Sequence, residues 1–269
     1  MQKFEFELSV SGQGPALLML PGSYATPAAW KGIRASLTSS FRIFSTSLPG
    51  YGSTAEIRVE DHPHVDPMIE FVGQVVDAAG EPVHVIGHSW GAHLALAAIL
   101  RGRISPLSLV CFEANPIYAR PLGKPFEWRA DVDAIIDQFQ AALLAGDPNA
   151  AAIIIDFYSR TGAFESMPGS VRSFCQATAP TNLLDWFSAA TFTPRFDEFN
   201  QLNLAVTLAR GDATPKPIVD VTDQLAQHIP NVCTQVVEGA DHFLISTHPA
   251  ECAKIMESHF LSLADNNNL

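Results

Sequence analysis

The sequence predicts an α/β fold, a mostly parallel central sheet flanked by helices and interrupted by a helical insertion. Three observations predict it. Short apolar runs that stop at Gly, Pro or Ser recur along the chain, at Leu17 to Leu20, Ile43 to Ser47, Val83 to Ile86, Leu107 to Phe112 and Leu204 to Leu208. Runs that are apolar on consecutive residues suit strands covered on both faces, as in parallel sheets. Between them lie stretches long enough for the helices that parallel connections require. Over residues 116–200 this alternation stops and helical spacing alone continues.

Taken in order, Met1 to Val10 alternates polar and apolar residues and reads as a strand. It has no unbroken apolar core and no small-residue cleavage site, so a cytoplasmic protein is expected. In Asp66 to Ala79, the residues Met68, Val72, Val75, Val76 and Ala79 make one apolar helical face. A second helix, rich in Ala and Leu, should run from Trp90 to about Leu100. The insertion begins after the strand ending near Phe112 and shows helical patterns at Ile135, Ile136, Phe139 and Leu143, at Ala151 to Phe157, and at Leu183 to Phe187. A run from Thr234 to Val237 follows, and a last helix should start after Thr247-His248-Pro249, since Pro is tolerated in a first turn. Residues 1–115 and 201–269 are therefore assigned to one core domain and 116–200 to a lid over it.

Composition excludes several classes of function. With 269 residues, 47% hydrophobic and 16% charged, the chain has ample material for a folded core. Its formal net charge of −12 repels phosphate backbones, so nucleic acid is not an expected partner. The longest strongly apolar stretch, Leu94 to Leu100, is too short for a membrane span. Cys111, Cys175, Cys233 and Cys252 are far apart and form no CxxC pair, so they are expected to be buried, reduced thiols. His62 and His64 form an HxH pair with no further ligand in view. Neither a metal nor a cofactor is implied.

The sharpest local feature is Gly87-His88-Ser89-Trp90-Gly91, directly after one apolar run and directly before the Ala/Leu-rich helix. A serine on so tight a strand-to-helix turn needs small neighbours and presents its hydroxyl at the edge of the sheet. Such a nucleophile needs a base, and His242 in Gly239-Ala240-Asp241-His242-Phe243 supplies one late in the chain. Asp241 adjoins His242 in the chain, and neighbouring side chains diverge, so it is not taken as the partner of Nδ1.

Together with Leu20-Pro21-Gly22-Ser23 and Leu48-Pro49-Gly50-Tyr51-Gly52-Ser53, these motifs give the chain a pattern that resembles the α/β-hydrolase superfamily over almost its whole length. The resemblance implies a serine hydrolase whose oxyanion hole is made by the backbone N–H groups of Ser23 and Trp90. Where the superfamily often has His-Gly, this chain has Pro21-Gly22. The superfamily usually places an Asp where this chain has Thr214, and a hydroxyl cannot stabilise an imidazolium as a carboxylate does. Two substitutes are available: Glu113, directly after the run ending at Phe112, and Asp212. Glu113 is taken as the acid, with Asp212 as the alternative.

The segment Gly50-Tyr51-Gly52-Ser53-Thr54-Ala55 also matches a dinucleotide-binding fingerprint, but the polar stretch Glu56 to Pro63 shows no helix to meet a pyrophosphate. The insertion is rich in aromatic residues, and Phe157, Tyr158, Phe164, Phe174, Trp186, Phe187 and Phe192 are candidates both for its own core and for an apolar pocket. The expected activity is hydrolysis of a small, largely apolar carboxylic ester through an acyl group on Ser89. The alternatives on the same scaffold are a C–C bond hydrolase, a lactonase or amidase, a perhydrolase, or a cofactor-independent oxygenase; a non-catalytic small-molecule receptor is the alternative of another class. The oligomeric state is not read from the sequence.

Overall fold

The structure, a computed structural model, describes residues 3–266. Seven strands form one sheet: β1 (Ser9–Ser11), β2 (Ala16–Leu20), β3 (Arg42–Ser45), β4 (His84–His88), β5 (Ser108–Phe112), β6 (Ala205–Gly211) and β7 (Val232–Val237), in the spatial order β1-β3-β2-β4-β5-β6-β7. All pairings are parallel except β1 with β3. Among the described residues ten α-helices accompany them: α1 (Lys31–Ser36), α2 (Val65–Ala79), α3 (Trp90–Leu100), α4 (Arg129–Leu144), α5 (Ala151–Tyr158), α6 (Ala163–Ser166), α7 (Gly169–Ala190), α8 (Lys216–His228), α9 (Leu244–Thr247) and α10 (Pro249–Asn266). Helices α4 to α7 lie between β5 and β6 in the chain.

The alternation of side chains along the strands divides the core into two layers. Leu18 and Leu20 of β2, Val85 of β4 and Leu109 of β5 pack with α2, α3 and the insertion. Their neighbours Leu17, Met19, Ile86, Val110 and Phe112 point the other way, to Ile33 of α1 and to Cys252, Ala253 and Met256 of α10. Both faces being covered, apolar residues point to both sides of the central strands, and β2 is apolar on every residue. The antiparallel edge strand is shorter than the alternation at the N-terminus predicts: only Ser9–Ser11 pair, and Phe4, Phe6 and Leu8 pack on the core from an unpaired segment. Met1 and Gln2 lie outside the described residues.

Helix α3 is buried on all sides from Trp90 to Ala98, which makes it the central helix rather than an amphipathic surface one. It sits unusually close to the strands. A methyl group at Gly87 would lie 2.5 Å from the Ala92 Cα, and one at Gly91 would lie 2.3 Å from the Pro21 carbonyl oxygen. Two glycines thus set the spacing of β4, the turn after it and the loop after β2.

The run at Leu183 to Phe187 belongs to the 22-residue α7, which continues through Pro180. Cys233 departs from expectation: it is exposed on the edge strand β7, whereas Cys111, Cys175 and Cys252 are buried. Gly50 to Ser53 form turns, and the next helix starts at Val65, where His64 caps it by accepting from the Asp66 N–H at 3.2 Å. No helix among the described residues is long and apolar enough to cross a membrane.

Gly87→Ala should destabilise the protein by about 1–3 kcal/mol, lowering its melting temperature by roughly 5 °C. Gly123→Ala, where a methyl group meets nothing within 4 Å, serves as the control. Equal melting temperatures for both variants would contradict the close packing of α3 on β4.

Candidate active site

Ser89 occupies the turn between β4 and α3 with φ 50° and ψ −119°, a conformation that costs a non-glycine residue of the order of 1–3 kcal/mol. The turn is held by the Ser89 N–H donating to the Phe112 carbonyl at 2.9 Å and by the His93 N–H donating to the Ser89 carbonyl at 2.9 Å. The residue is 6% exposed. Its backbone position at the start of α3 leaves the first N–H groups of that helix, Trp90 included, without intrahelical acceptors. The loop after β2 lies against it: a methyl group at Gly22 would stand 3.0 Å from the Ser89 Cβ. Ser23 therefore reaches the same cavity wall as Ser89 and Trp90, which all three line.

His242 and Glu113 come from different strands' ends and meet here. The Ser89 hydroxyl and His242 Nε2 are 2.8 Å apart, and His242 Nδ1 lies 3.1 Å from Glu113 Oε2. A carboxylate accepts only, so Nδ1 carries the imidazole proton and Nε2 is left to accept from the Ser89 hydroxyl. His242 is 3% exposed and Glu113 fully buried. A buried carboxylate needs partners, and Glu113 has them: the Gly211 N–H donates to Oε1 at 2.6 Å and the Thr214 hydroxyl donates to Oε2. Glu113 itself is held at φ 53°, with its N–H donating to the Ala209 carbonyl at 2.8 Å.

The two candidate acids are thereby separated in space. Asp212 is exposed and accepts from the Gly239 N–H at 2.8 Å, bracing the turn before His242. Thr214 contributes a donor to Glu113. Asp241 turns away from the imidazole, accepting from the Ser159 hydroxyl and, at 2.9 Å, from the Phe243 N–H.

Four residues near the serine were given no catalytic role by the sequence: Asn115, Tyr158, His88 and His93. Asn115 Nδ2 lies 3.3 Å from the Ser89 hydroxyl oxygen and 3.3 Å from the Tyr158 hydroxyl. Tyr158, at the end of α5, stacks on the His242 ring with centroids 4.0 Å apart. His88 donates from Nε2 to the His242 carbonyl at 2.9 Å, and burial lowers its pKa to about 3. His93, one turn into α3, is lowered by burial to about 4. Both rings are neutral near pH 7 and add no positive charge beside His242. Asn115 follows Glu113 by two residues, so its place was foreshadowed by that of the acid; nothing in the sequence singles out Tyr158 from the other aromatic residues of the insertion.

A cavity of about 690 Å³ opens onto Ser89 and His242. Ile154, Ile155, Met167, Phe174, Trp186 and Ile245 give it an apolar lining. Of the insertion's aromatic residues, Tyr158, Phe174 and Trp186 face this space, while Phe164 and Phe192 are buried in the core. Among the described residues no cluster of His, Cys, Asp and Glu has the makings of a metal site.

Residues 17–255 match the Alpha/beta hydrolase family. The pimeloyl-[acyl-carrier protein] methyl ester esterase of Aliivibrio salmonicida is 30% identical over 132 residues, which is 49% of this chain and about half, 47%, of that protein. The protein of the same name from Vibrio campbellii is 24% identical over 91% of this chain and 95% of its own length. Among solved structures, a thermophilic esterase from Thermogutta terrifontis has a TM-score of 0.74 at 17% identity, covering 96% of this chain and 94% of that one.

A proton held between Nδ1 and a buried carboxylate resonates far downfield in the NMR spectrum. One such signal is expected for His242. It should vanish in Glu113→Gln and persist in Asp212→Asn; the opposite pattern would reassign the partner of His242 to Asp212.

Proposed function

Because the chain belongs to the Alpha/beta hydrolase family, we propose that it is a serine esterase that cleaves a small, largely apolar carboxylic ester through an acyl group on Ser89. The observation that carries this reading is the unbroken hydrogen-bonded chain from the Ser89 hydroxyl through His242 to Glu113, buried at the wall of an apolar cavity. The esterase names of the relatives support the same bond type.

In this reaction the Ser89 oxygen attacks the ester carbonyl carbon while its proton passes to His242 Nε2. The carbonyl oxygen becomes negative and is met by the N–H groups of Ser23 and Trp90. Glu113 favours the imidazolium that forms, and its own negative charge is spread over the Gly211 N–H and the Thr214 hydroxyl. As the C–O bond breaks, His242 returns the proton to the departing alcohol. Water then repeats the sequence on the acyl group, giving its proton to His242 and releasing the acid and free Ser89.

Helices α5 to α7 act in this proposal as a lid. Their apolar side chains exclude water from the cavity and favour an uncharged acyl chain, while the stack of Tyr158 on His242 holds the imidazole face. The Asn115 amide, donating toward the Ser89 oxygen, leaves the hydroxyl proton directed at Nε2.

Ser89→Ala should fold normally and lose hydrolysis of p-nitrophenyl esters by several decades, toward the factor of about 10⁶ found when a serine protease loses its nucleophile. Glu113→Gln should lower kcat by up to about 10⁴ and Asp212→Asn far less. A tenth of wild-type turnover in Ser89→Ala would overturn the acyl-serine route. Oxygen uptake without ester cleavage would replace it with oxygenase chemistry.

A further inference from the structure

Asp185 is a buried carboxylate that the reaction above leaves unused. It lies in the last two turns of α7, 3% exposed. Its Oδ2 accepts from the Ser23 hydroxyl at 2.6 Å and from the Tyr51 hydroxyl at 2.6 Å, and its Oδ1 accepts from Arg58 Nη1 at 2.5 Å. The Arg58 side chain is fully buried as well, and its remaining edge donates to Glu56 at 2.7 Å from Nε and 2.6 Å from Nη2. Burial pushes the Asp185 pKa up while Arg58 and the two hydroxyls pull against it.

Burying an ion pair in this way gives little net stability over a well-packed apolar pair. A helix that merely covers a core has no use for it. What the arrangement does provide is direction, because three elements converge on one carboxylate: the loop after β2 through Ser23, the turn after β3 through Tyr51, and Arg58. Ser23 sits in a stretch without regular structure, between β2 and the short 3-10 turn Pro27–Trp30, and is followed by Tyr24 at φ 56°. Its backbone N–H has no acceptor among the described residues. Its side chain is tied to the insertion by the bond to Asp185.

The carboxylate's own position is fixed by the half of α7 that follows Pro180. There Thr181 packs on Gly50, where a methyl group would come within 2.5 Å of its Cγ2, and the Val65 N–H donates to Thr191 at 3.0 Å just past the helix end. Pro180 removes one hydrogen bond inside the helix, which sets this anchored half off from the residues before it; both halves line the cavity, Val171 and Phe174 before Pro180 and Asn182 and Trp186 after it.

We propose that Asp185 is a positioning residue: through the Ser23 hydroxyl it aims the Ser23 N–H at the oxyanion, so that the hole is complete only when the insertion is seated on the core. The inference rests on the reading of Ser89 as nucleophile and Ser23 as oxyanion donor. Misdirecting one donor costs less than deleting it, which lowers kcat by about 10²–10³.

The test is a double-mutant cycle of Ser23→Ala and Asp185→Asn, with kcat and KM measured for a p-nitrophenyl ester. Alongside, Ki is measured for a trifluoromethyl ketone, which forms an oxyanion in the same hole. Each single variant should lower kcat by about 10- to 100-fold and raise Ki in parallel, with KM nearly unchanged. The double variant should be no slower than the slower single one, because both changes cut the same link. Ser23→Ala keeps the Asp185–Arg58 pair and the backbone N–H, so it remains informative if Asp185→Asn fails to fold. Wild-type kcat and Ki in Ser23→Ala would overturn the proposal, as would losses that multiply in the double variant. Ser89→Ala is measured in the same series: activity surviving there overturns the serine reading as well, whereas its loss beside an unimpaired Ser23→Ala overturns the Asp185 proposal alone.

Discussion

Backbone strain, concentrated at the C-terminal ends of neighbouring strands, is the constraint on which the rest of this molecule depends. Among the described residues three non-glycine positions have positive φ: Ser89 at 50°, Glu113 at 53° and Tyr24 at 56°. They follow β4, β5 and β2, which lie side by side in the sheet. Such conformations persist only where the surroundings over-determine them. Here the surroundings are the close seating of α3 on β4 and the sheet's covering on both faces, so the stability of the core is what holds Ser89 and Glu113 in place.

The electrostatics follow from the same crowding. Glu113 is buried from water, and an N–H, a hydroxyl and the Nδ1 of an imidazole surround its carboxyl group. Thr214, at the position where the resemblance leads one to expect an Asp, is one of these donors. On the proposed reading the acid stands at the end of β5, and Thr214 at the end of β6 is its hydrogen-bond partner. With His88 and His93 kept neutral by burial, His242 is the imidazole placed to exchange a proton with Ser89.

Much of this was legible in the sequence because it depends on local chemistry. The Gly87-His88-Ser89-Trp90-Gly91 turn declares itself by its small residues between an apolar run and an Ala/Leu-rich helix, and the five apolar runs mark the central strands to within a few residues. The contact of Glu113 with His242 was legible through an absence, the missing carboxylate at Thr214. What escaped depends on long-range contact. Asp185 is separated from Ser23 by 162 positions, and in the sequence it is one acidic residue in an ordinary helical stretch. Whether Tyr158 and Trp186 face the cavity while Phe164 and Phe192 are buried in the core is decided by which way the folded insertion turns each ring. Helix α8 did carry a readable stripe, with Ile218, Val221, Thr222 and Leu225 on its buried face, but Pro217 and the polar residues around it obscure the pattern. Cys233 is exposed because β7 is an edge strand, a fact of sheet order that composition does not contain.

The central claim is that Ser89, activated through His242, forms a covalent bond to the substrate's acyl group. A p-nitrophenyl phosphonate imitates the ester and stops at the covalent stage, so peptide mapping by mass spectrometry after complete inactivation tests the claim directly. One phosphonyl group per chain, on the peptide containing Ser89 and in step with the loss of activity, is the predicted result. Labelling at another residue, or full activity after Ser89 is completely modified, would contradict it.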